Sequence, residues 1–496
     1  MPTDPAGSAL LTDLYQLTMA YGYWHAGRAE REAAFHLYFR TAPFGGGYAV
    51  ACGLDAAADY LAGFRFDPDD LAYLATLRAS EDDGAGRLFP DAFLDHLAAL
   101  RLTLDVDMAA EGDVVFAGAP MVRVRGPVLQ AQLVETALLA HVGFPTLVAT
   151  KAARLCEAAA GDEVLEFGLR RAQGPDGGLT ASRAAYVGGC AATSNVLAGR
   201  RFGLPVRGTH AHSWVLAFDS EPEAFAAYAD ALPDNCVFLV DTYDTLDGVR
   251  HAVEAGERLR ARGHRLLGVR LDSGDLAYLS AEARRLLDAA GFADARVLAS
   301  NDLDERLVAS LKAQGAPIAV WGVGTRLVTA HDQPALGCVY KLTAMRDGSE
   351  AGGGWRPRVK VSEQAAKTTT PGVLQVRRFR GPSGEALGDM VVDELGPPAD
   401  GAPAVMVDPE DPTRRKRFAA AAPYDEVLAP VFRGGRRVRD AVPAAVARDR
   451  ARQAVAALHP GVRRFDYPHR YPVGLERGLY DRRTGLILAA RGVDEA

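Results

Sequence analysis

At 496 residues and 52.8 kDa, with 48% hydrophobic and 24% charged residues, the chain has enough apolar material for two or three folded domains and is globular by composition. A formal net charge of −7 and a pI near 5.9 argue against a global electrostatic drive toward nucleic acid or an anionic membrane, so phosphate recognition has to be local and the partner small. Five scattered cysteines without CxxC spacing point to reduced thiols instead of a zinc site or a disulfide framework. The first residues lack a basic segment followed by an apolar one, and apolar stretches elsewhere are broken by charges, so a cytoplasmic protein is expected.

In chain order, Thr12 or Asp13 caps a predicted helix running toward His25, and AAFHLYFR alternates as a strand up to Arg40. Three helices follow, around DAAADYLAGF, DDLAYLATL and PDAFLDHLAAL. Short strands broken by Gly and Pro then run from Leu102 to Pro127. These elements make an α+β domain over 1–130. The apolar helix QLVETALLAHVGF leads out of it.

The segment 131–345 has a regular beat. Apolar runs EVLEF, LPVRGTH, CVFLV, LLGVRL, RVLAS, IAVWGVG and GCVYKLTA are mostly separated by amphipathic helical patterns, and Gly263, Gly291 and Gly315 fall where left-handed helix C-caps belong. Repeated βα units imply a parallel sheet, and their number favours a closed α/β barrel over an open sheet. The remaining 346–496 is a smaller C-terminal region expected to pack back on the other two.

The downstream ends of these runs are polar: Phe167, Arg170 and Arg171; His210 and His212; Asp241 and Asp244; Arg270, Asp272 and Ser273; Ser300, Asn301 and Asp302; Gly322, Gly324 and Thr325. In an α/β barrel such ends converge on the face where active sites are built. Taken singly each has a structural explanation, Asp244 and Asp275 as helix caps and a strand-end histidine as a hydrogen-bonded residue, but six polar ends together point to a site. An aromatic face, a guanidinium pair and a histidine pair suit a flat anionic ring beside phosphates. WGVGT offers unobstructed backbone amides to a phosphate or serves a tight turn, and Arg270 with Asp272 forms either a salt bridge or a functional pair. Asp241 and Asp272 have the ligand chemistry for Mg²⁺ held partly through water. No P-loop pattern is present, so any ATP is bound otherwise. With only six lysines in the chain, Lys341, Lys360 and Lys367 are phosphate-site candidates.

The segments LLTDLYQLTMAYGYW, FRTAPFGGGYAV, FGLRRAQGPDGGLTASRAAYVGG, TSNVLAGRRFGLPVRGTHAHSW, GVRLDSGDL, WGVGTRLVTA, VSEQAAKTTTPG and YPHRYPVGLERGLYD stand in an order that resembles nicotinate phosphoribosyltransferase, from Leu10 to about Leu486. The resemblance implies an irregular α/β barrel of the type II phosphoribosyltransferase kind and a homodimer with shared active sites. It also implies transfer of phosphoribosyl from phosphoribosyl pyrophosphate to nicotinate with Mg²⁺, coupled to ATP hydrolysis through a phosphohistidine, in NAD biosynthesis. By the same resemblance, Phe167 and the partner's Tyr15 sandwich the pyridine ring. Arg270, with Ser213, meets the carboxylate, and Arg170 and Arg171 contact pyrophosphate or the ring side. His212 accepts phosphate, with Asp241 orienting it. Asn301, Gly322, Gly324 and Thr325 hold the ribose and 5′-phosphate, and Asp272 a ribose hydroxyl or the metal. His210, the CAAT stretch and the long loop DGSEAGGGWRP depart from the family pattern. A nicotinamide-using enzyme of the same fold and a silent paralogue remain alternatives. Ser194 and Asn195 leave room for a carboxylate, and His212, Asp241, Arg270 and Asp272 together speak against silence.

Overall fold

The computed structural model describes residues 7–80, 86–346, 354–363, 368–396 and 403–493. By internal contact the chain divides into two units, one made of Met1–Thr146, Ala335–Val442 and Ala454–Ala496, the other of Leu147–Pro334 and Pro443–Gln453.

The first unit is built on two sheets. A seven-stranded sheet runs in the order Trp355–Pro357, Cys338–Arg346, Glu32–Phe39, Val122–Pro127, Asp105–Met108, Ala429–Arg433, Arg436–Arg437, and every pairing in it is antiparallel. AAFHLYFR is its centre: five consecutive residues, Ala33 to Leu37, are buried, and Phe35 stacks on Tyr340 with centroids 4.9 Å apart. A six-stranded sheet joins Leu374–Arg380 and Ala386–Asp393 to Val473–Glu476 and to three further strands. The run GCVYKLTA, expected in the barrel, is instead the strand Cys338–Arg346 paired with Glu32–Phe39. Lys341 therefore lies opposite His36 in an antiparallel ladder and not after a barrel strand.

The second unit holds the βα beat. Its six strands are all parallel, ordered Ala192–Thr193, Glu163–Glu166, Val320–Val323, Arg296–Ala299, Gly268–Leu271, Val237–Leu239. Asp244, Asp275 and Asp304 cap the helices that follow three of these strands by accepting two backbone N–H groups each. Gly263, Gly291 and Gly315 close helices at φ of +82°, +74° and +76°, a region a side chain disfavours. The barrel is irregular. LPVRGTH, expected as a full strand, contributes one parallel bridge, Val206 to Thr193, because Pro205 has no N–H to give and Gly208 follows. Between that segment and Val237–Leu239 no backbone ladder forms among the described residues.

Candidate active site

At the carboxyl end of Val237–Leu239 the chain turns through Asp241, whose side chain is 2% exposed. Asp241 Oδ1 lies 3.1 Å from His212 Nε2, while Oδ2 accepts from the Asp272 backbone N–H at 3.0 Å and from Ser273 Oγ at 2.6 Å. This carboxylate thus ties two strand ends and the segment that carries His212 together. His212, 41% exposed, opens the short helix His212–Val215 and presents its other ring nitrogen away from Asp241. With the Nε2 proton given to the carboxylate, Nδ1 carries the available lone pair.

Arg270 is the penultimate residue of the next strand, Gly268–Leu271. One guanidinium nitrogen donates to Thr209 Oγ1, and the buried Nε has no hydrogen-bond partner among the described residues. Burial lowers the guanidinium below its usual range, opposed by the nearby Asp272 and Asp241 carboxylates. A buried donor left open costs about 1–3 kcal/mol unless something fills it, and an anion fills it best. Asp272 accepts from Ser300 Oγ through Oδ1. Asn301, exposed at φ +115°, is strained for a residue with a side chain, and its Oδ1 accepts from the Asp302 N–H at 2.8 Å.

Phe167 follows Glu163–Glu166 and is fixed by its N–H to Val323 O at 2.8 Å. Its ring lies against Gly322, where an added Cβ would meet ring carbons at 2.9 and 3.0 Å. A side chain at 322 would push the ring off, which explains the glycine without invoking phosphate. A cavity of about 920 Å³ inside the strands is lined by Phe167, Ser194 and Thr209 at their carboxyl ends and reaches Arg265 and Arg296 toward the other end. Glu166, which sequence reasoning passed over, is fully buried and accepts from Gly168 N–H and Thr193 Oγ1, fastening Phe167's turn to the neighbouring strand. A second carboxylate set inside the otherwise apolar run EVLEF, which Glu163 opens, was the available signal.

Arg170 and Arg171 sit exposed on a single helical turn after Phe167, close enough for Arg170 to act electrostatically on Arg270. Ser213 is exposed beside His212, and Thr325 opens a short helix after Gly324. Tyr15 belongs to the first unit, half exposed on the helix Leu14–His25. Lys360 is also in the first unit, and Lys367 with most of the DGSEAGGGWRP loop lies outside the described residues. All five cysteines are free. Among the described residues no cluster of three or more His, Cys, Asp or Glu forms a metal cage, and no helix is long and apolar enough to cross a membrane.

A parallel barrel with its polar groups gathered at the carboxyl strand ends places the protein among the α/β-barrel enzymes. The family models for the nicotinate phosphoribosyltransferase N-terminal domain, the nicotinate phosphoribosyltransferase family and its C-terminal domain match residues 10–143, 163–381 and 374–483. The chain is 50% identical over 377 residues to a nicotinate phosphoribosyltransferase of Bacillus subtilis (strain 168), covering 75% of this chain and 73% of that one. It is 42% identical over 490 residues to one of Mycobacterium tuberculosis (strain ATCC 25618 / H37Rv), covering 98% and 95%. Among solved structures, human nicotinic acid phosphoribosyltransferase superposes with a TM-score of 0.81 at 33% identity, over 96% of this chain and 99% of that chain. The chain belongs to the nicotinate phosphoribosyltransferase family.

Proposed function

We propose that the protein transfers phosphoribosyl from phosphoribosyl pyrophosphate to nicotinate, releasing pyrophosphate and nicotinate mononucleotide for NAD biosynthesis, with ATP hydrolysis coupled through His212. The observation that carries this reading is the open, buried Nε of Arg270, hydrogen-bonded through its guanidinium to Thr209, which shares a cavity with Phe167. A ring carboxylate supplies the missing acceptor, and an amide does so less well.

Displacement at the anomeric carbon builds positive charge on the ribose and negative charge on departing pyrophosphate. Arg170 and Arg171 are the exposed cations for that leaving group. The pyridine nitrogen needs no deprotonation, so Phe167, with Tyr15 from a second copy of the chain, works by positioning the ring. Ser213 assists Arg270 at the carboxylate, and Asn301, Gly322, Gly324 and Thr325 hold the ribose and 5′-phosphate. Asp272 fits Mg²⁺ better than Asp241. Both Asp241 oxygens are engaged, whereas Asp272 Oδ2 has no hydrogen-bond partner among the described residues, and Mg²⁺ asks for only one or two carboxylates beside substrate phosphates. The ion would supply charge stabilisation at the leaving group.

In the coupled half-reaction, His212 Nδ1 attacks the γ-phosphorus of ATP, ADP leaves, and the Nε2 proton stays on the hydrogen bond to Asp241. Water then cleaves the N–P bond, returning phosphate and free His212. We further propose a cytoplasmic homodimer and a functional division of the chain into 1–130, 131–345 and 346–496. The experiment is incubation with γ-³²P-labelled ATP. Acid-labile label on the unmodified protein and none on His212→Asn is expected, and label retained by His212→Asn would overturn the assignment.

A further inference from the structure

His210 and His212 stand two residues apart on one segment, and their partners stand two residues apart on another. The Leu239 backbone N–H donates to His210 Nε2 at 3.1 Å, and His212 Nε2 meets Asp241 Oδ1 at 3.1 Å. The two contacts are consecutive rungs of one register, made by side chains where the barrel lacks a backbone ladder. The reason lies in the edge strand. Val237–Leu239 pairs with Gly268–Leu271 on one side, and the Val240 N–H donates toward that side to Arg270 O at 3.2 Å. Successive amides along a strand point to opposite sides, so the Leu239 N–H faces the gap. Left unpaired in a buried position it would be costly.

The ring that fills this gap is itself fixed. His210 is 7% exposed and packs among Tyr228, Phe225 and Phe238, with centroids 5.1, 6.0 and 6.2 Å away. Its Nδ1 lies 3.4 Å from Ala211 O, so the neutral tautomer with hydrogen on Nδ1 satisfies both neighbours. Burial, together with Arg270 and His212, moves its pKa down to about 4, which keeps Nε2 free to accept at neutral pH.

We propose that His210 is a positioning residue for His212: by replacing a missing ladder rung it sets the register of the segment that carries His212 against the strand end that carries Asp241. The inference rests on the reading of His212 as phosphoryl acceptor. A residue offering no acceptor at this spot would leave His212 to Asp241 as the one hydrogen bond between this segment and that strand end among the described residues, and the acceptor ring would lose its fixed orientation.

Two measurements test it. In the unmodified protein carrying ¹⁵N-histidine, long-range imidazole correlations should show His210 with hydrogen on Nδ1 and a bare Nε2; hydrogen on Nε2 overturns the proposal whatever the variants do. The second compares His210→Leu, which fills the aromatic cage but accepts nothing, with His210→Gln, whose amide oxygen reaches the place of Nε2. The readout is the ratio of turnover with ATP to turnover without it, alongside ³²P labelling of His212. His210→Leu should lower that ratio about tenfold or more, and His210→Gln should restore it to within about threefold, since orientation alone carries effects of this size. A ratio unchanged in His210→Leu, or equally reduced in both variants, overturns the positioning role. Absence of label from the unmodified protein overturns the His212 reading instead, a failure visible before any variant is made.

Discussion

Arg378, buried in the first unit, and Arg270, half-buried in the second, are both arginines on strands, and they have opposite fates. Arg378 gives its guanidinium to Asp389 at 2.9 and 2.8 Å, to Asp113 at 3.1 Å and to Val114 O at 2.7 Å. Burial alone would lower its pKa, but the flanking carboxylates outweigh that and hold it above the usual arginine range. Arg270 is lowered by its burial and keeps a donor open. Arg378, with its partners complete, serves the fold; Arg270 combines an open donor with a place beside the polar strand ends, and it is that combination which suits a ligand.

The comparison breaks most visibly under paired substitution. Arg378→Ala leaves Asp389 and Asp113 without their cation, and breaking a buried pair in this way costs about 3–5 kcal/mol. Urea unfolding should show that loss, whereas Arg270→Ala, which strands no buried carboxylate of its own, should move the midpoint far less. Equal destabilisation by the two would erase the distinction.

Activity should respond in the reverse order. Arg270→Ala should reduce the preference for nicotinate over nicotinamide by about 10², the weight of a charge-assisted contact, as read from kcat/KM for the two substrates. Arg378→Ala assayed well below its unfolding temperature should leave that ratio intact.

A pH series sharpens the contrast inside the site. His210 titrates at about 4 when folded against a reference of 6.5, so between these values the unfolded chain binds more protons. Its contribution is complete above pH 6.5 and falls as pH drops toward 4, by at most ~3 kcal/mol. His36, buried in the first unit with its pKa lowered by burial and by Arg123, slopes the same way. Only the difference between the unmodified protein and His210→Leu isolates the His210 slope, and a difference flat from pH 7 to pH 5 would contradict it.

The smallest expected effect belongs to Gly322→Ala. Its Cβ would meet Phe167 ring carbons at 2.9 and 3.0 Å, closer than a Cβ tolerates, so the ring has to move to make room. The KM for nicotinate should rise several-fold with little change in thermal midpoint, on the grounds that misplacement of a positioning group is felt in binding first.

The sequence made the strand ends legible because the βα beat fixes where each apolar run stops, and the residue after the stop is free of core packing. Asp241, Asp272 and Phe167 do follow the ends of such runs, and Asp244 and Asp275 are the helix caps that their position also allowed. Partner choice was not legible. Cys338–Arg346 has the composition of a barrel strand yet pairs with a strand some 300 positions earlier, and periodicity carries no information about which neighbour a strand selects. Ala192–Thr193 is too short to show any period at all. The run LPVRGTH looked like a strand, and only the three-dimensional register shows that its last residues are held by histidine side chains.

The most direct test of the central claim is an initial-rate comparison of nicotinate and nicotinamide with the purified, unmodified protein, phosphoribosyl pyrophosphate and Mg²⁺. Nicotinate mononucleotide formation should be favoured by about 10² or more in kcat/KM, from the Arg270 contact with the ring carboxylate. Equal use of acid and amide would contradict it.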